Sequence, residues 1–402
     1  MTPSAYRRLA SHDGEALLQA LAFADEKHAA AAAAKARKIA DAELAAAALA
    51  TVFARKRALA SGKFPAASNM FFTRAGYEQA SSEAVARHRA ERFAGFAGVV
   101  DLCCGIGGDT LAIAARLGTD ARVTAVDVDG DALACLEHNA AALGLKERIH
   151  AKRMDALEAD LSGADAAFAD PSRRNASGRQ RSGAAYEPPL EALLRRAREL
   201  PDARLCVKVA PGLRIGAEEL RRASGAPVEI EFVSERGVCK EAALWCGGLV
   251  RGNGAPSATV IDAAGAHRFD GDASRNADVG PLGRYLAEPD PAIIRSGLVG
   301  ELAERVKATL LDPQIAYLTA SASVSSPFLR WYEVREWLPF NVKRLRAFLR
   351  SAGIGRLVIK TRAFPLQPEA IAALLKAKGD AEATLVCTTI GGRKTAIVCR
   401  RA

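Results

Sequence analysis

A glycine-rich turn between a buried strand and a helix is the segment of this sequence best suited to holding a ligand. It reads Asp101-Leu102-Cys103-Cys104-Gly105-Ile106-Gly107-Gly108-Asp109-Thr110. Glycines at such a turn let the backbone approach a ligand and expose the N–H groups at the start of the helix. A dinucleotide-binding turn would have Gly or Ala where Thr110 stands, so the pattern disfavours NAD and FAD.

Three further carboxylates stand at the ends of the strands that follow. Asp127 ends the next predicted strand, where a ribose diol would need a hydrogen-bond acceptor. Asp155, followed by Ala156, ends the strand after that and suits an adenine amino group. Asp170, followed by Pro171, ends the fourth strand at the same crevice. The spacing therefore predicts a crevice for a nucleoside-containing ligand, with one carboxylate beside it.

The elements that must position these residues alternate between strand and helix. We predict strands over residues 99–104, 121–128, 149–154, 164–170 and 204–209, and helices over 109–117, 131–143 and 189–199. The strand over 204–209 is almost continuously apolar, and apolar strands are expected when both faces of a sheet are covered. This alternation predicts an α/β fold with a doubly wound parallel sheet, closed by a hairpin of residues 228–233 and 242–250.

Different patterns flank this region. Residues 5–61 are Ala-rich and predict helices, and a further helix is expected over 81–93. Residues 251–291 are punctuated by Gly, Asp and Pro and read as an irregular bridge. A smaller α+β block should follow, with helices over 293–310, 342–352 and 368–378, strands over 315–319, 328–337 and 356–361, and a hairpin of 383–388 and 394–400.

The four carboxylate segments, in this order and spacing, resemble the class I S-adenosylmethionine-dependent methyltransferases over about residues 95–250. The resemblance implies a Rossmann-like seven-stranded sheet, with Asp101 near the amino group of the cofactor, Gly105 and Gly107 facing its methionine moiety, Asp127 on the ribose, and Asp155 with Ala156 at the adenine. The implied cofactor-binding set is completed by Cys103 and Val128. Cys103 replaces the first glycine of the family's D-x-G-x-G-x-G run, a variant similar to that of trimethylguanosine synthase and related RNA methyltransferases.

The whole chain also resembles a bacterial family of methyltransferases that carry a ferredoxin-like segment and a THUMP-like domain after the catalytic domain. The segments that carry this resemblance are Phe72–Ala80, Asp170–Arg174, Glu288–Arg295 and Trp337–Asn341. It implies a helical N-terminal region over 1–94, a methyltransferase domain over 95–252, and the ferredoxin-like segment and THUMP-like domain over 253–402. It also implies RNA, either rRNA or tRNA, as the substrate class.

Asp170 and Pro171 are the expected catalytic pair. Asp170 stands where base N-methyltransferases of the Asp/Asn-Pro-Pro-aromatic type accept a hydrogen bond from the amine being methylated. Ser172 replaces the second proline of that motif and Arg173 replaces its aromatic residue, so an oxygen, ring-nitrogen or small-molecule acceptor stays open. Four arginines follow this motif, and two alternatives are open for them. They either bind substrate phosphates, or one of them pairs with a carboxylate of the protein and the others are solvated. They are Arg173, Arg174, Arg179 and Arg181.

Other candidates are weaker. Lys208 ends the predicted strand 204–209 and is expected to pair with a carboxylate, while Tyr77 and Gln79 are candidates for closing the cofactor pocket. Three aromatic residues of the C-terminal block read as one face of a core more readily than as base-stacking residues: they are Trp331, Tyr332 and Trp337. His88, His138 and His150 are isolated from any Ser or Cys pattern, which disfavours a hydrolytic triad.

Composition limits the remaining alternatives. The 402 residues hold 56 Lys and Arg against 46 Asp and Glu, a net charge of +10 that suits a polyanionic partner without requiring one. No apolar stretch is long enough to span a membrane, no signal peptide opens the chain, and the eight cysteines form no C-x-x-C pair, so we expect a cytoplasmic protein without a metal. The alternatives are a methyltransferase for a small molecule or a protein, and a non-catalytic RNA-binding protein that retains a relic cofactor pocket.

Overall fold

The computed structural model of the chain describes residues 4–173 and 186–402. Of the arginines expected to bind phosphates, Arg174, Arg179 and Arg181 lie outside these ranges. The chain divides into two compact units, one of Met1–Ile230 with Glu241–Gly254 and one of Glu231–Lys240 with Ala255–Ala402. The domain boundaries predicted after residues 94 and 252 stay predictions.

The N-terminal segment of the first unit is helical, as its alanine content predicts. Its helices are α1 (Ala5–Leu9), α2 (His12–Ala20), α3 (Ala29–Ala36), α4 (Ala42–Ser61), α5 (Arg74–Gln79) and α6 (Glu83–Ala90). The longest helix, α4, begins where the Asp41 side chain accepts hydrogen bonds from two backbone N–H groups and ends at Gly62, which adopts a φ of 66°. The side chains of Leu49 and Val52 are buried and lie on the inner face of α4.

Strands and helices then alternate through the rest of the first unit. The elements are β1 (Gly98–Leu102), α7 (Gly108–Arg116), β2 (Arg122–Asp127), α8 (Gly130–Ala142), β3 (Ile149–Arg153), β4 (Ala166–Ala169), β5 (Ser172–Arg173), β6 (Tyr186–Glu187), α9 (Leu190–Arg195), β7 (Leu205–Val209), α10 (Ala217–Ser224), β8 (Val228–Glu235) and β9 (Val238–Cys246). The predicted strands and helices of this region are therefore confirmed, with boundaries that differ by a few residues.

These strands follow the order β8-β9-β7-β4-β1-β2-β3 and belong to a sheet of nine strands, which continues beyond β8 with two strands that lie between residues 257 and 270. Strands β3, β2, β1, β4 and β7 are parallel to one another, and β9 runs antiparallel to β7. The strand order reverses between the neighbouring strands β1 and β4, because the chain runs from β1 through β2 to β3 and then returns to form β4 on the other side of β1. A crevice opens at this point, beyond the carboxyl ends of the strands. The doubly wound fold predicted from the sequence is thus present, and it brings the carboxyl ends of β1, β2 and β4 to one edge.

The second unit corrects two sequence predictions. Its elements after the hairpin tip are β10 (Ser257–Asp262), β11 (Gly265–Asp270), β12 (Tyr285–Pro289), α11 (Pro291–Ser296), α12 (Val299–Arg305), β13 (Thr309–Asp312), β14 (Ile315–Ala320), β15 (Leu329–Pro339), α13 (Val342–Ser351), β16 (Ile354–Arg362), α14 (Pro368–Leu375), β17 (Ala381–Ile390) and β18 (Arg393–Arg401).

The prediction of an irregular bridge over 251–291 was wrong, because β10, β11 and β12 lie within it. The turn residues that suggested irregularity separate short strands, and β10 pairs along its whole length with β11. The single helix predicted over 293–310 was also wrong. It breaks at Gly297, whose φ of 77° ends α11, and the chain then becomes strand at Thr309.

A second sheet organises the C-terminal part of this unit, in the order β13-β14-β12-β15-β18-β17-β16. Strand β16 is parallel to β17, and the other pairs are antiparallel. Helices α13 and α14 pack against one face through Leu345, Leu349, Ile371 and Leu375. The alternation of strand side chains places Val386, between Leu385 and Cys387, in the core of the opposite face.

Candidate functional site

A cavity of about 480 Å³ opens in the first unit at the carboxyl ends of β1, β2 and β4. Most of the residues predicted to bind the cofactor or the acceptor line it. They are Asp101, Cys103, Gly105, Asp127, Val128, Asp155, Ala156 and Asp170. Gly107 and Pro171 are not among the lining residues. A cavity of this volume accommodates a small-molecule cofactor.

Asp101 is a fully buried carboxylate in the wall of this cavity. Its Oδ2 accepts a hydrogen bond from the Thr110 hydroxyl at 2.5 Å, whereas its Oδ1 is buried and has no hydrogen-bond partner among the described residues. Burial raises the pKa of Asp101 to about 7, against the opposing effect of the Thr110 hydrogen bond. An unpartnered buried acceptor is costly in the absence of a ligand and indicates where a donor group binds.

The turn after β1 holds its residues in left-handed backbone conformations. Cys103, Gly105 and Gly107 adopt φ values of 64°, 55° and 90°. A side chain at Gly107 would place its Cβ 2.2 Å from Leu136 Cδ1, whereas one at Gly105 would meet nothing within 4 Å. Gly107 therefore allows the close approach of α8, while Gly105 keeps the cavity wall open. Burial raises the pKa of the Cys103 thiol far above its usual range, so this thiol stays protonated.

Asp127 connects the end of β2 to the glycine turn. Its Oδ2 accepts the Gly105 N–H at 2.8 Å and its Oδ1 accepts the Asp129 N–H at 2.9 Å. Each carboxylate oxygen has a second lone pair for a ligand hydroxyl. Burial raises the pKa of Asp127, and the backbone hydrogen bonds oppose that shift.

An apolar wall follows Asp127 along the cavity. Val128 lines the cavity with 62% of its surface exposed, which is unusual for a large apolar side chain and leaves surface for a ligand to cover. Ala156 is buried, and Asp155 is exposed with its Oδ1 accepting the Leu157 N–H at 2.8 Å. Val128, Asp155 and Ala156 therefore line one cavity, as the sequence analysis expects.

Asp170, which lines the cavity, forms an ion pair with Lys208. The Lys208 Nζ lies 2.6 Å from Asp170 Oδ2, and both side chains are largely buried. Lys208 also donates to the backbone carbonyl of Gln79, the last residue of α5, at 3.5 Å. The expected carboxylate partner of Lys208 is therefore the catalytic candidate itself, a pairing that the sequence pattern did not specify.

A short two-stranded ladder continues this wall beyond Pro171, which is buried. Ser172 in β5 pairs with Glu187 in β6, and both line the cavity next to Asp170. Arg173 pairs through its backbone with Tyr186, whose hydroxyl accepts the Ala210 N–H at 2.7 Å. The ladder thus fixes the chain directly after the Asp170-Pro171 pair.

A buried charge cluster that the sequence analysis missed supports the cavity from α6. The guanidinium of Arg89 forms ion pairs with Asp109, which lines the cavity, and with Glu241 in β9, and it lies 4.9 Å from the centre of the Phe168 ring. All three charged side chains are almost completely buried. Arg89 and Glu241 are 152 positions apart, so no local pattern signals their pairing.

The weaker candidates fall into two groups. Gln79 lines the cavity, whereas Tyr77 does not: its ring packs edge-on against Phe72 with 5.9 Å between ring centres. In the second unit Trp331 and Tyr332 are buried in two different core clusters, because neighbouring residues of a strand point to opposite faces, and Trp337 is 55% exposed. The prediction that these aromatic residues form one face of a core was therefore wrong.

None of the helices in the described ranges combines the length and apolar character needed to cross a membrane. Within those same ranges, no group of three or more His, Cys, Asp or Glu side chains is arranged to hold a metal ion.

Comparisons with known proteins agree with this architecture. Residues 99–173 match the model of a methyltransferase domain, and residues 329–401 match that of a THUMP domain-like family. A crystal structure from Porphyromonas gingivalis W83, assigned to the methyltransferases, superimposes over 99% of this chain and 97% of its own with a TM-score of 0.72, at 19% identity, which shows a shared fold.

Curated relatives are closer in sequence. An uncharacterized S-adenosylmethionine-dependent methyltransferase, found in two strains of Mycobacterium tuberculosis (CDC 1551 / Oshkosh and ATCC 25618 / H37Rv), is 36% identical over 346 residues. The match covers 83% of this chain and 89% of the relative. At this identity over most of both chains, the chain belongs to the family of S-adenosylmethionine-dependent methyltransferases, and S-adenosylmethionine is its cofactor.

Proposed function

We propose that this protein transfers a methyl group from S-adenosylmethionine to RNA, with Asp170 acting on the acceptor group. The observation that carries the proposal is the convergence of Asp101, Asp127 and Asp155 on one cavity with the Asp170–Lys208 ion pair beside them. Three carboxylates at the strand ends suit the polar groups of the cofactor, and the fourth is held by a lysine at the acceptor side.

The residues of the cavity fit the cofactor. The unpartnered Asp101 Oδ1 would accept a hydrogen bond from its amino group, and Asp127 would accept hydrogen bonds from its ribose hydroxyls. Val128 and Ala156 would contact the adenine ring, with Asp155 at the exocyclic amine. When bound, S-adenosylmethionine supplies a methyl group on a positively charged sulfur, which leaves as a neutral thioether.

Asp170 would manage the proton that the acceptor atom loses. A carboxylate that accepts a hydrogen bond from the N–H or O–H of the acceptor orients the lone pair of that nitrogen or oxygen towards the methyl group. The carboxylate then takes the proton as the new bond to carbon forms. The 2.6 Å contact with Lys208 holds this carboxylate in place and compensates its charge. The backbone carbonyl of Pro171 is the second proposed acceptor of a hydrogen bond from the substrate.

The acceptor atom stays open. Ser172 lies in the cavity wall where the amine-methylating motif has a proline, and Arg173 follows where that motif has an aromatic residue. An exocyclic amine, a ring nitrogen and a hydroxyl can each donate to Asp170, so the carboxylate alone does not choose among them.

RNA as the substrate class is supported by the THUMP-like domain at the C-terminus and by the net charge of +10. Arg173 and Arg174, next to the acceptor side in the sequence, are the proposed substrate-binding residues because guanidinium groups bind phosphates in a bidentate manner. The protein is proposed to act in the cytoplasm.

Labelling of total RNA tests this proposal. The purified protein is incubated with S-adenosylmethionine carrying a tritiated methyl group and with total RNA from a strain that lacks the gene. RNA from the parental strain serves as the control, because its target sites are already methylated. We expect label in the RNA of the deletion strain and much less in the control. Label confined to protein or to small metabolites would contradict the RNA assignment.

A further inference from the structure

A groove lined by basic side chains lies in the second unit, between α13 and the end of α14. It has a volume of about 500 Å³, and we call it the basic groove. Its charged residues are Arg346 and Arg350 from α13 and Lys376 and Lys378 from the segment that begins at the end of α14. Its apolar residues are Leu349, Leu375 and Ala377. No acidic residue lines the groove in this fully described part of the chain.

The four cations of the basic groove lack ion-pair partners. In the described ranges no salt bridge joins any of them to a carboxylate. Other arginines of the same unit do have such partners: Arg356 pairs with Glu382 at 3.1 Å, and Arg335 with Glu333 at 3.1 Å. Unpaired cations gathered on one surface repel one another, so their grouping favours an anionic ligand over an internal role.

Among the described residues, Arg346 is the one groove cation whose side chain donates a hydrogen bond within the protein. Its Nε donates to the carbonyl oxygen of Leu374, in the last turn of α14, at 2.9 Å. This contact caps a helix end, a structural role that stabilises α14 without neutralising the guanidinium charge. Arg350, Lys376 and Lys378 carry no comparable role, so a ligand is the better explanation for these three.

Two leucines of the basic groove anchor it in the core. Leu349 and Leu375 are almost completely buried and belong to the core that α13 and α14 share with the sheet. Arg346 and Arg350 are one helical turn apart and therefore project from the same face, with their Cβ atoms about 6 Å apart. The charges are thus presented from fixed positions, while the tips of the side chains are exposed and able to adapt.

We propose that the basic groove binds the phosphodiester backbone of the RNA substrate. This inference rests on the proposed function and adds to it the place where the second unit holds RNA. Its chemistry is recognition of consecutive phosphates by Arg and Lys, which positions an RNA without reading its sequence. Arg346, Arg350, Lys376 and Lys378 are the proposed contacts.

Direct binding measured against salt concentration tests the groove. The probe is a fluorescein-labelled single-stranded oligoribonucleotide, and the full-length protein is titrated at several salt concentrations. Each contact with a phosphate of a single strand contributes about −0.7 to the slope of the logarithm of the association constant against the logarithm of the salt concentration. Four contacts therefore contribute about −2.8. Replacing all four cations with Gln should make the slope shallower by about that amount and lower the affinity roughly 100-fold near 0.15 M salt.

Two further variants keep the test specific. The substitutions Arg87→Gln, Arg116→Gln, Arg195→Gln and Arg305→Gln make the same change in net charge at arginines that already pair with carboxylates. They should change the affinity less than about threefold, because each of these charges is already paired with a carboxylate. A triple Gln variant that keeps the Arg346 cap tests whether loss of binding follows from charge or from a damaged helix end, and it should retain the wild-type melting temperature.

The outcomes separate this inference from the proposed function. If RNA is methylated but the groove variants bind the oligoribonucleotide like wild type, the basic groove is not the RNA site. If the groove variants lose binding while no RNA accepts a methyl group, the groove assignment stands and the proposed function fails. Loss of binding to phosphatidylserine vesicles, with RNA binding unchanged, would assign the groove to a membrane surface and overturn the inference.

Discussion

The buried carboxylate Asp101 should make cofactor binding depend on pH. Its pKa is raised by burial to about 7, from the ordinary value of about 3.9. A protonated Asp101 cannot form an ion pair with the ammonium group of the cofactor. In the free protein Asp101 is therefore mostly neutral below pH 7, and binding at low pH must first remove a proton.

The size of this effect follows from the fraction of Asp101 that is ionised. With a pKa of about 7, roughly 3% is ionised at pH 5.5 and roughly 75% at pH 7.5, a ratio of about 25. The α-amino group of the cofactor has an ordinary pKa of about 7.7–8.0, so it begins to lose its own proton in this range, which slightly reduces the increase in affinity. We therefore expect the dissociation constant for S-adenosylmethionine to fall about 20-fold from pH 5.5 to pH 7.5 and to rise again above pH 8.

Titration calorimetry measures both the affinity and the proton. In buffers of different ionisation enthalpy, binding to wild type at pH 7 should release about half a proton, because half of Asp101 is protonated there. In Asp101→Asn the affinity at pH 7.5 should be lower and nearly independent of pH. Equal affinities of the wild type at pH 5.5 and 7.5, or an unchanged pH profile in Asp101→Asn, would refute this reasoning.

The same group affects stability with a definite sign. Because the folded-state pKa of Asp101 lies above its unfolded value, its contribution to stability is fully present below about pH 4 and is lost as the pH rises towards 7. The loss amounts to about 4 kcal/mol at most. Without cofactor, Asp101→Asn should therefore unfold at a higher denaturant concentration than wild type at pH 8, and this difference should disappear near pH 4.

Four substitutions test the turn and the proposed acceptor side. Cys103→Gly should raise the free energy of unfolding by roughly 0.5–1 kcal/mol, because glycine adopts the φ of 64° without strain, and a lowered melting temperature would contradict this. Gly107→Ala should cost at least about 2 kcal/mol through its clash with Leu136, whereas Gly105→Ala should cost only about 1 kcal/mol, and chemical denaturation should rank them in that order. Lys208→Met should lower kcat about 10-fold or more while the dissociation constant for S-adenosylmethionine stays within twofold, and a change confined to cofactor affinity would argue against its role at the acceptor.

The sequence correctly predicted that Asp101, Asp127 and Asp155 lie at one cavity, because their placement depends on local patterns. Asp101, Asp127 and Asp155 each stand at or just after the carboxyl end of a strand, and parallel strands bring those ends to one edge. The alternation of strand and helix was therefore sufficient to bring these residues together. Gly107 shows the limit of the pattern, since only the structure reveals that it packs against Leu136.

The contacts that the sequence did not predict join distant segments. Lys208 is 38 positions from Asp170, and Glu241 is 152 positions from Arg89. Neither pair has a periodicity that would indicate it, because ion pairs depend on the final packing of elements. The strands within 251–291 were missed for another reason: they are short and bounded by Gly, Asp and Pro, which a propensity argument assigns to loops.

Methyl transfer by Asp170→Asn tests the central claim most directly. The rate of transfer of a tritiated methyl group to RNA is measured for wild type and variant, together with the dissociation constant of each for S-adenosylmethionine. Removing a general base lowers kcat by about 10²–10⁴-fold, so we predict a loss of at least 100-fold with a cofactor affinity within twofold of wild type. Transfer by Asp170→Asn at the wild-type rate would contradict the assignment of Asp170 to the acceptor.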